Sequence, residues 1–262
     1  TDKYDNYCED TTDRAGQITV PDTAGNTGST GGGSSSSSDD NSSTPSVTTD
    51  DNRQPGGTTT ETTARPGASV SGGSASTTIS ASMGDAIVEQ AAENKSDTVV
   101  IAPEISGSVD RTQVSIPNNV VKSIGSDTNA DLVISTPVAD VTIPNAGLNQ
   151  LASQGGRVTV TAETSGSTVT VEVAAGGSPV SAVRGGVTVT VPVDNSTSGT
   201  VAVLVREDGT REVIRKSLAD GGELIVPLEG SATVEIVDNS KTFTDVPANS
   251  WAADAVAFAS SH

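Results

Sequence analysis

Side-chain chemistry requires acids, bases, nucleophiles or metal ligands held close together, and this chain offers little beyond carboxylates. Its 262 residues include one cysteine, Cys8, and one histidine, His262. With these side chains a Ser-His-Asp triad, a Cys-His dyad and a His/Cys zinc site are out of reach, and Cys8 has no partner for an intrachain disulfide. Acid–base work could be assigned to Glu163 with Glu172, or to Asp97 with Glu104. A glycosidase, however, sets its two carboxylates in a sugar-shaped cleft that is usually lined by aromatics. Aromatics make up 2% of the chain: Tyr4 and Tyr7 at one end, Phe243, Trp251 and Phe258 at the other, and none between Cys8 and Thr242. Asp127 and Asp131 in GSDTNAD form the nearest approach to a calcium loop, but no Asp-x-Asp-x-Asp-Gly pattern is present. The expectation is a protein without catalytic residues, metal or cofactor.

Charge narrows the partners. With 33 Asp plus Glu against 14 Lys plus Arg, the formal charge is -19. Its long-range field opposes nucleic acids and anionic lipid surfaces, which demand a basic face. No apolar run approaches the roughly 18 residues of a membrane span, and Thr1 opens no signal peptide. The chain therefore reads as a segment of a longer protein with neither a nucleic-acid partner nor a membrane insertion.

These residues must be positioned by some fold, and composition divides the chain. Hydrophobic content of 33% lies below the globular norm of about 45–50%, so part of the chain is expected not to fold. Residues 1–20 read as the end of an upstream region, with Ile18 and Val20 in a loop. Residues 21–78 are dominated by Ser, Thr, Gly, Asp and Pro and predict a disordered linker. As a Gly/Ser coil of ~58 residues it would span roughly 40 Å, and its hydroxyls suit O-glycosylation or nothing at all. Residues 79–240 carry the pattern of a module whose core is packed from Val, Ile, Leu and Ala.

Within that module, GDAIVEQAAEN (84–94) puts Ile87, Val88 and Ala91 on one helical face, with Asp85 near the start and Asn94 near the stop. Thr98 to Ala102 is a short strand closed by Pro103. VSIPNNVVKSIG, from Val114, and VTIPNAGLNQLASQG, from Val141, form a weak repeat of strand, Pro-Asn, apolar helical turn and Gly. Asn118 and Asn145 suit the start of each helix, and Gly125 and Gly155 its left-handed cap. From Arg157 onward period-two alternation takes over. Val169, Val171 and Val173, then Val187, Val189 and Val191, read as half-buried strands. VAVLVREDGTREV reads as a hairpin turning at Asp208-Gly209, with Glu207 and Arg211 placed to pair across it. Glu223 to Leu228 and Ala232 to Val237 form a last strand pair. The fold class is α+β and β-rich: a disordered linker, a mostly antiparallel module with a few short helices, and one C-terminal helix.

Residues 241–262, KTFTDVPANSWAADAVAFASSH, resemble the opening of an S-layer homology (SLH) repeat. The family pattern is Phe-x-Asp-Val, a short spacer, Trp-Ala and a helix with Ala and aromatics on its inner face. Phe243, Asp245, Val246, Trp251 and Ala252 occupy those positions. Ala255, Val256, Phe258 and Ala259 follow on the helix. Trp251, Ala255, Phe258 and His262 fall on one helical face, with Asn249 or Ser250 as cap and Asp254 in the first turn. Upstream, VSIPNN, VTIPNA, the late hairpin and DNSKTF are similar to the aromatic-poor module that often precedes the first repeat in SLH proteins of Gram-positive bacteria.

The resemblance implies a non-enzymatic cell-surface protein. SLH repeats, usually three together, hold their protein to pyruvylated secondary cell-wall polysaccharide on the peptidoglycan. Asp245 and Trp251 carry over as glycan-binding positions; their plainer roles are a turn residue and a packing anchor. The family's basic Thr-Arg-Ala-Glu motif is not in this sequence, so the half-repeat alone is not expected to bind wall polymer. Two other functions fit less of the chain: an adhesin whose module grips a ligand through a loop or sheet edge, and a fragment of a wall hydrolase.

Overall fold

The computed structural model describes residues 46–54, 57–241, 243, 244, 246 and 250–262. The expected end of an upstream region at 1–20, and residues 21–45 of the expected linker, lie outside the described residues. From Ser46 the linker expectation fails, because that stretch is built into sheet. β1 (Ser46–Gln54) and β2 (Gly57–Arg65) form an antiparallel hairpin, followed by the short β3 (Ser69–Ser71) and β4 (Ser74–Thr78). The reason is tertiary. β2 runs parallel to β5 (Thr98–Ile101), with Ala64 fully buried opposite Ile101. The hydroxyl of Thr62, also fully buried, sits 2.8 Å from that of Ser96. Threonine suits a half-buried pleat once its hydroxyl is satisfied.

The chain then winds between two sheets with helices on one side. β4 leads into α1 (Ala81–Glu93) and on to β5; β6 (Arg111–Ile116) leads into α2 (Asn118–Asp127) and on to β7 (Asp131–Ser135). β4 is parallel to β6 and β5 to β7, so the second coil lies beside the first. α1 starts earlier than Gly84 because Ser80 caps it, its Oγ accepting from the Met83 N–H at 3.2 Å.

The next unit reverses direction. β8 (Asp140–Ile143), α3 (Asn145–Ser153) and β9 (Val158–Ser165) return antiparallel to the second coil. β6 pairs with β9, Ile116 opposite Val158, while β8 pairs with β7, Ile143 opposite Leu132. The two Val-x-Ile-Pro copies thus lie in opposite sheets, with the pairing pattern of a two-fold exchange.

Strands complete both sheets: β10 (Thr168–Ala175), β11 (Ser178–Pro179), β12 (Val187–Pro192), β13 (Thr200–Val205), β14 (Arg211–Val213), β15 (Leu218–Asp220), β16 (Glu223–Leu228) and β17 (Ala232–Asp238). One sheet has the order β1-β2-β5-β7-β8-β12-β16-β15 and the other β14-β13-β17-β10-β9-β6-β4-β3, with β11 beside β10. Three of the pairings are parallel; the others are antiparallel, so the architecture is α+β, β-rich and mostly antiparallel. Both sheets and the first three helices share one aliphatic core, centred on residues such as Ile87, Ile116, Leu132, Leu148 and Val189.

Helix packing uses glycine where close approach demands it. A Cβ on Gly84 would stand 2.2 Å from Val120 Cγ2, and one on Gly125 would stand 3.0 Å from Leu148 Cβ. Gly125 is therefore not the expected cap; it lies buried inside α2 at the α2–α3 contact. Gly155, by contrast, has φ +72 just beyond α3, as a left-handed stop requires. Asn118 and Asn145 do not cap their own helices either, because Pro117 and Pro144 hold the N-cap positions without side-chain bonds.

Candidate functional site

The C-terminal residues form α4 (Ala253–Ser261), with Asp254 in its first turn. Ser250 prepares the start: its Oγ accepts from Ala252 N–H at 3.3 Å, although Ala252 holds the N-cap position. Asp245 and Asn249 lie outside the described residues. Trp251 stands just before the helix and is 97% exposed; Phe243 and Phe258 are 40% and 41% exposed. Of the helical face predicted from Trp251, Ala255, Phe258 and His262, the first three are exposed and only His262 is half-buried. Trp251 is thus not a packing anchor against the described residues.

Among the described residues, the hydrogen bonds that tie α4 to the module lie at its far end. Asn239 Nδ2 donates to Ser261 O at 2.7 Å, and the His262 ring nitrogens lie 2.9 Å from the carbonyl oxygens of Phe258 and Ser217. The His262 ring also stacks on Phe258, centroids 4.1 Å apart. The helix is a bracket held at its C-terminal end, with its aromatic face turned to solvent.

Of the two carboxylate pairs singled out for chemistry, one is brought to diagonal positions on a sheet face and the other is kept apart. Glu163 is taken up by Arg111 at 2.5 Å and sits diagonally from Glu172 on the outer face of the β9–β10 pair. Asp97 and Glu104 flank opposite ends of β5, and Asp97 Oδ2 accepts from Thr60 N–H at 2.9 Å. Asp131 Oδ1 accepts from Asn145 N–H at 2.8 Å, and Asp127 from the Ser126 hydroxyl at 2.8 Å. Among the described residues no three His, Cys, Asp or Glu side chains gather as a metal-ligand set, and no helix is long and apolar enough to cross a membrane.

Sequence reasoning misses a different place. The hairpin of β13 and β14 turns through a three-residue loop: Arg206 N–H donates to Thr210 O at 3.0 Å, and Gly209 has φ +80. This register sets Arg211 opposite Val205, not opposite Glu207. The expected Glu207–Arg211 pair is replaced by Arg206 with Glu212 at 2.7 Å and Arg211 with Glu235. The Glu212 hydrogen bond, followed by its charge, raises the pKa of Arg206. Beside this hairpin lies a groove of about 1060 Å³, between β10, β13, β14, β17 and the turn after β16. Half-buried Leu204, Ile214, Pro227 and Ala232 line it, and exposed Arg215 and Lys216 stand at its margin. Arg215-Lys216 is the only pair of adjacent cations in the chain, a signal that the sequence does carry.

Comparison of the chain with family models, with curated proteins and with solved structures gave no match in any of the three.

Proposed function

We propose that the chain is a non-enzymatic segment of a cell-surface protein, in which the β-rich module leads into S-layer homology repeats that anchor the protein to secondary cell-wall polysaccharide. The observation that carries this reading is the aromatic face of α4. Trp251 is 97% exposed and Phe258 41%, at positions that fall on the family's spacing, whereas the most exposed large apolar side chains elsewhere in the module, Leu218 and Val70, reach 46% and 42%. Exposed aromatic surface of this kind costs solvation unless something covers it, and further helices of an SLH region would do so. Asp245 and Trp251 are the positions assigned to the glycan groove, and the acidic module keeps the protein soluble near the wall.

Two measurements test the proposal. The first is the reading frame after the codon for His262. Further repeats opening with Thr-Arg-Ala-Glu-like motifs support anchoring, and unrelated sequence or a stop codon overturns it. The second is co-sedimentation of the natural full-length protein with purified wall sacculi, before and after acid extraction of the secondary polymer. Retention that survives complete extraction would refute the polysaccharide as the anchor.

A further inference from the structure

We propose that the groove beside β14 is a binding site for an extended peptide segment bearing at least one carboxylate, added as a strand to the free edge of β14. Three independent features of the groove point to that ligand class.

The first is the edge itself. Among the described residues β14 is the terminal strand of its sheet and pairs with β13 alone. The phase of that ladder is set by two hydrogen bonds, Arg206 N–H to Thr210 O at 3.0 Å and Ile214 N–H to Ala202 O at 2.8 Å. In an antiparallel pair, bonded positions alternate with unbonded ones. The bonded positions are thus Thr210, Glu212 and Ile214. The backbone N–H and C=O groups of Arg211 and Val213 then point away from β13, toward the space that an added strand would fill. Val213 itself lines the groove. Peptides dock on such edges by main-chain pairing and gain specificity from side-chain pockets.

The second feature is the interior. Leu204, Ile214, Pro227 and Ala232 present apolar surface in a groove of about 1060 Å³ that is open to solvent, a shape that suits an extended chain more than a small enclosed ligand. The side chains on one face of a strand beside β14 would meet Ile214 first. Leu204 on β13 and Ala232 on β17 lie one and two strands further in, within reach of long apolar side chains alone.

The third is unspent charge. Glu172, Glu207, Glu212 and Glu229 also line the groove. Of the cations there, Arg206 takes Glu212, whereas Arg215 and Lys216 make no ion pair among the described residues. In a chain of formal charge -19, two adjacent cations left without a carboxylate beside several of them are open to a carboxylate from outside. The remaining glutamates oppose a uniform polyanion, and among the described residues no aromatic lines the groove to stack a sugar ring. A peptide alone among common ligands brings backbone amides, apolar side chains and localised charge together.

The proposal does not depend on the wall-anchoring reading, and its test leaves that reading untouched. A random-heptapeptide phage library is selected on the full chain, and the enriched peptides are synthesised and titrated by fluorescence anisotropy. The expected result is enrichment of acidic sequences whose affinity falls by about tenfold or more in the Arg215→Glu, Lys216→Glu double variant. Both side chains are exposed, so circular dichroism should show the variant folded. Alternate N-methylation of the best peptide, which blocks strand pairing without altering the protein, should weaken binding by a similar factor. No enrichment, equal affinity for both proteins, or indifference to N-methylation would overturn the proposal. So would charge-sensitive binding of polygalacturonate with no peptide binding, which would make the groove a site for a carboxylated glycan.

Discussion

Asn118 and Asn145 clamp each other's helices. Asn118 Nδ2 donates to Ala152 O of α3 at 2.7 Å, and Asn145 Nδ2 reaches back to Ile124 O, Thr128 O and Ala130 O around the end of α2, at 3.3, 3.2 and 3.1 Å. Each asparagine follows the proline that starts its helix, and each adds a donor to carbonyls around the neighbouring helix end, where Ala152 O also accepts from Gly155 N–H at 3.2 Å and Ile124 O from the Thr128 hydroxyl at 2.6 Å. The reciprocity follows from the antiparallel return of β8, α3 and β9 along β6, α2 and β7.

Removing these amides should be costlier at Asn145, whose two N–H donors serve Thr128 O and Ala130 O, than at Asn118, whose acceptor Ala152 O keeps the Gly155 N–H. Asn145→Ala is expected to destabilise the module by about 1–3 kcal/mol and Asn118→Ala by about 1 kcal/mol. Urea unfolding followed by far-UV circular dichroism gives both values. Equal losses would contradict the different numbers of carbonyls served.

Gly84→Ala should fail for steric reasons, since its new Cβ would lie 2.2 Å from Val120 Cγ2. Overpacking of this kind costs about 1–3 kcal/mol. Val120→Ala alone opens a cavity and also destabilises, but the double variant should lose less than the sum of the two. Strict additivity in the cycle would place the strain elsewhere.

Acid should weaken the turn after β17. Asp238 Oδ1 accepts from the Ser240 hydroxyl at 2.5 Å and the Ser240 N–H at 2.9 Å, and these bonds, the hydroxyl first, hold its pKa below the usual carboxylate range. A depressed folded pKa means that the unfolded state binds the proton first, so the contribution is complete above pH of about 4 and disappears as pH falls through the folded value. In Asp238→Asn, thermal midpoints should therefore decline less between pH of about 4 and 2 than in the parent. Identical slopes would show that the carboxylate contributes nothing.

The attachment of α4 should separate from the stability of the module. Trp251 is 97% exposed, so Trp251→Ala should move global stability by no more than about 0.5 kcal/mol. Asn239→Ala removes the bond to Ser261 O and should raise amide exchange through α4 while leaving the core strands protected. Hydrogen exchange resolved by mass spectrometry distinguishes the two regions.

Legibility in the sequence follows the physics of each region. Where alternation alone decides, as at Val169, Val171 and Val173 or Val187, Val189 and Val191, the strands and their inward-facing residues are readable from residue order. Where the decisive partner lies far along the chain, they are not. Thr62 reads as linker because nothing nearby reveals that Ser96 will meet its hydroxyl and β5 its backbone. Gly125 reads as a cap because the approach of Leu148 cannot be seen from its neighbours. At the C-terminus, the spacing puts Trp251 and Phe258 on the inner face of a helix, whereas both stand exposed, Trp251 just before α4 and Phe258 on it. The groove escapes notice because β10, β13 and β17 assemble it from distant segments, and only the adjacent cations Arg215 and Lys216 mark its place in the chain.

The absence of aromatics from the middle of the chain has an optical consequence. Since Trp251 is the sole tryptophan and stands outside the core, its emission is a reporter for α4 alone. Unfolding of the two sheets should pass almost unseen in intrinsic fluorescence, whereas anything that settles on the helix face should shift the spectrum to the blue. The protein thus carries a built-in probe of its terminal helix against a dark scaffold.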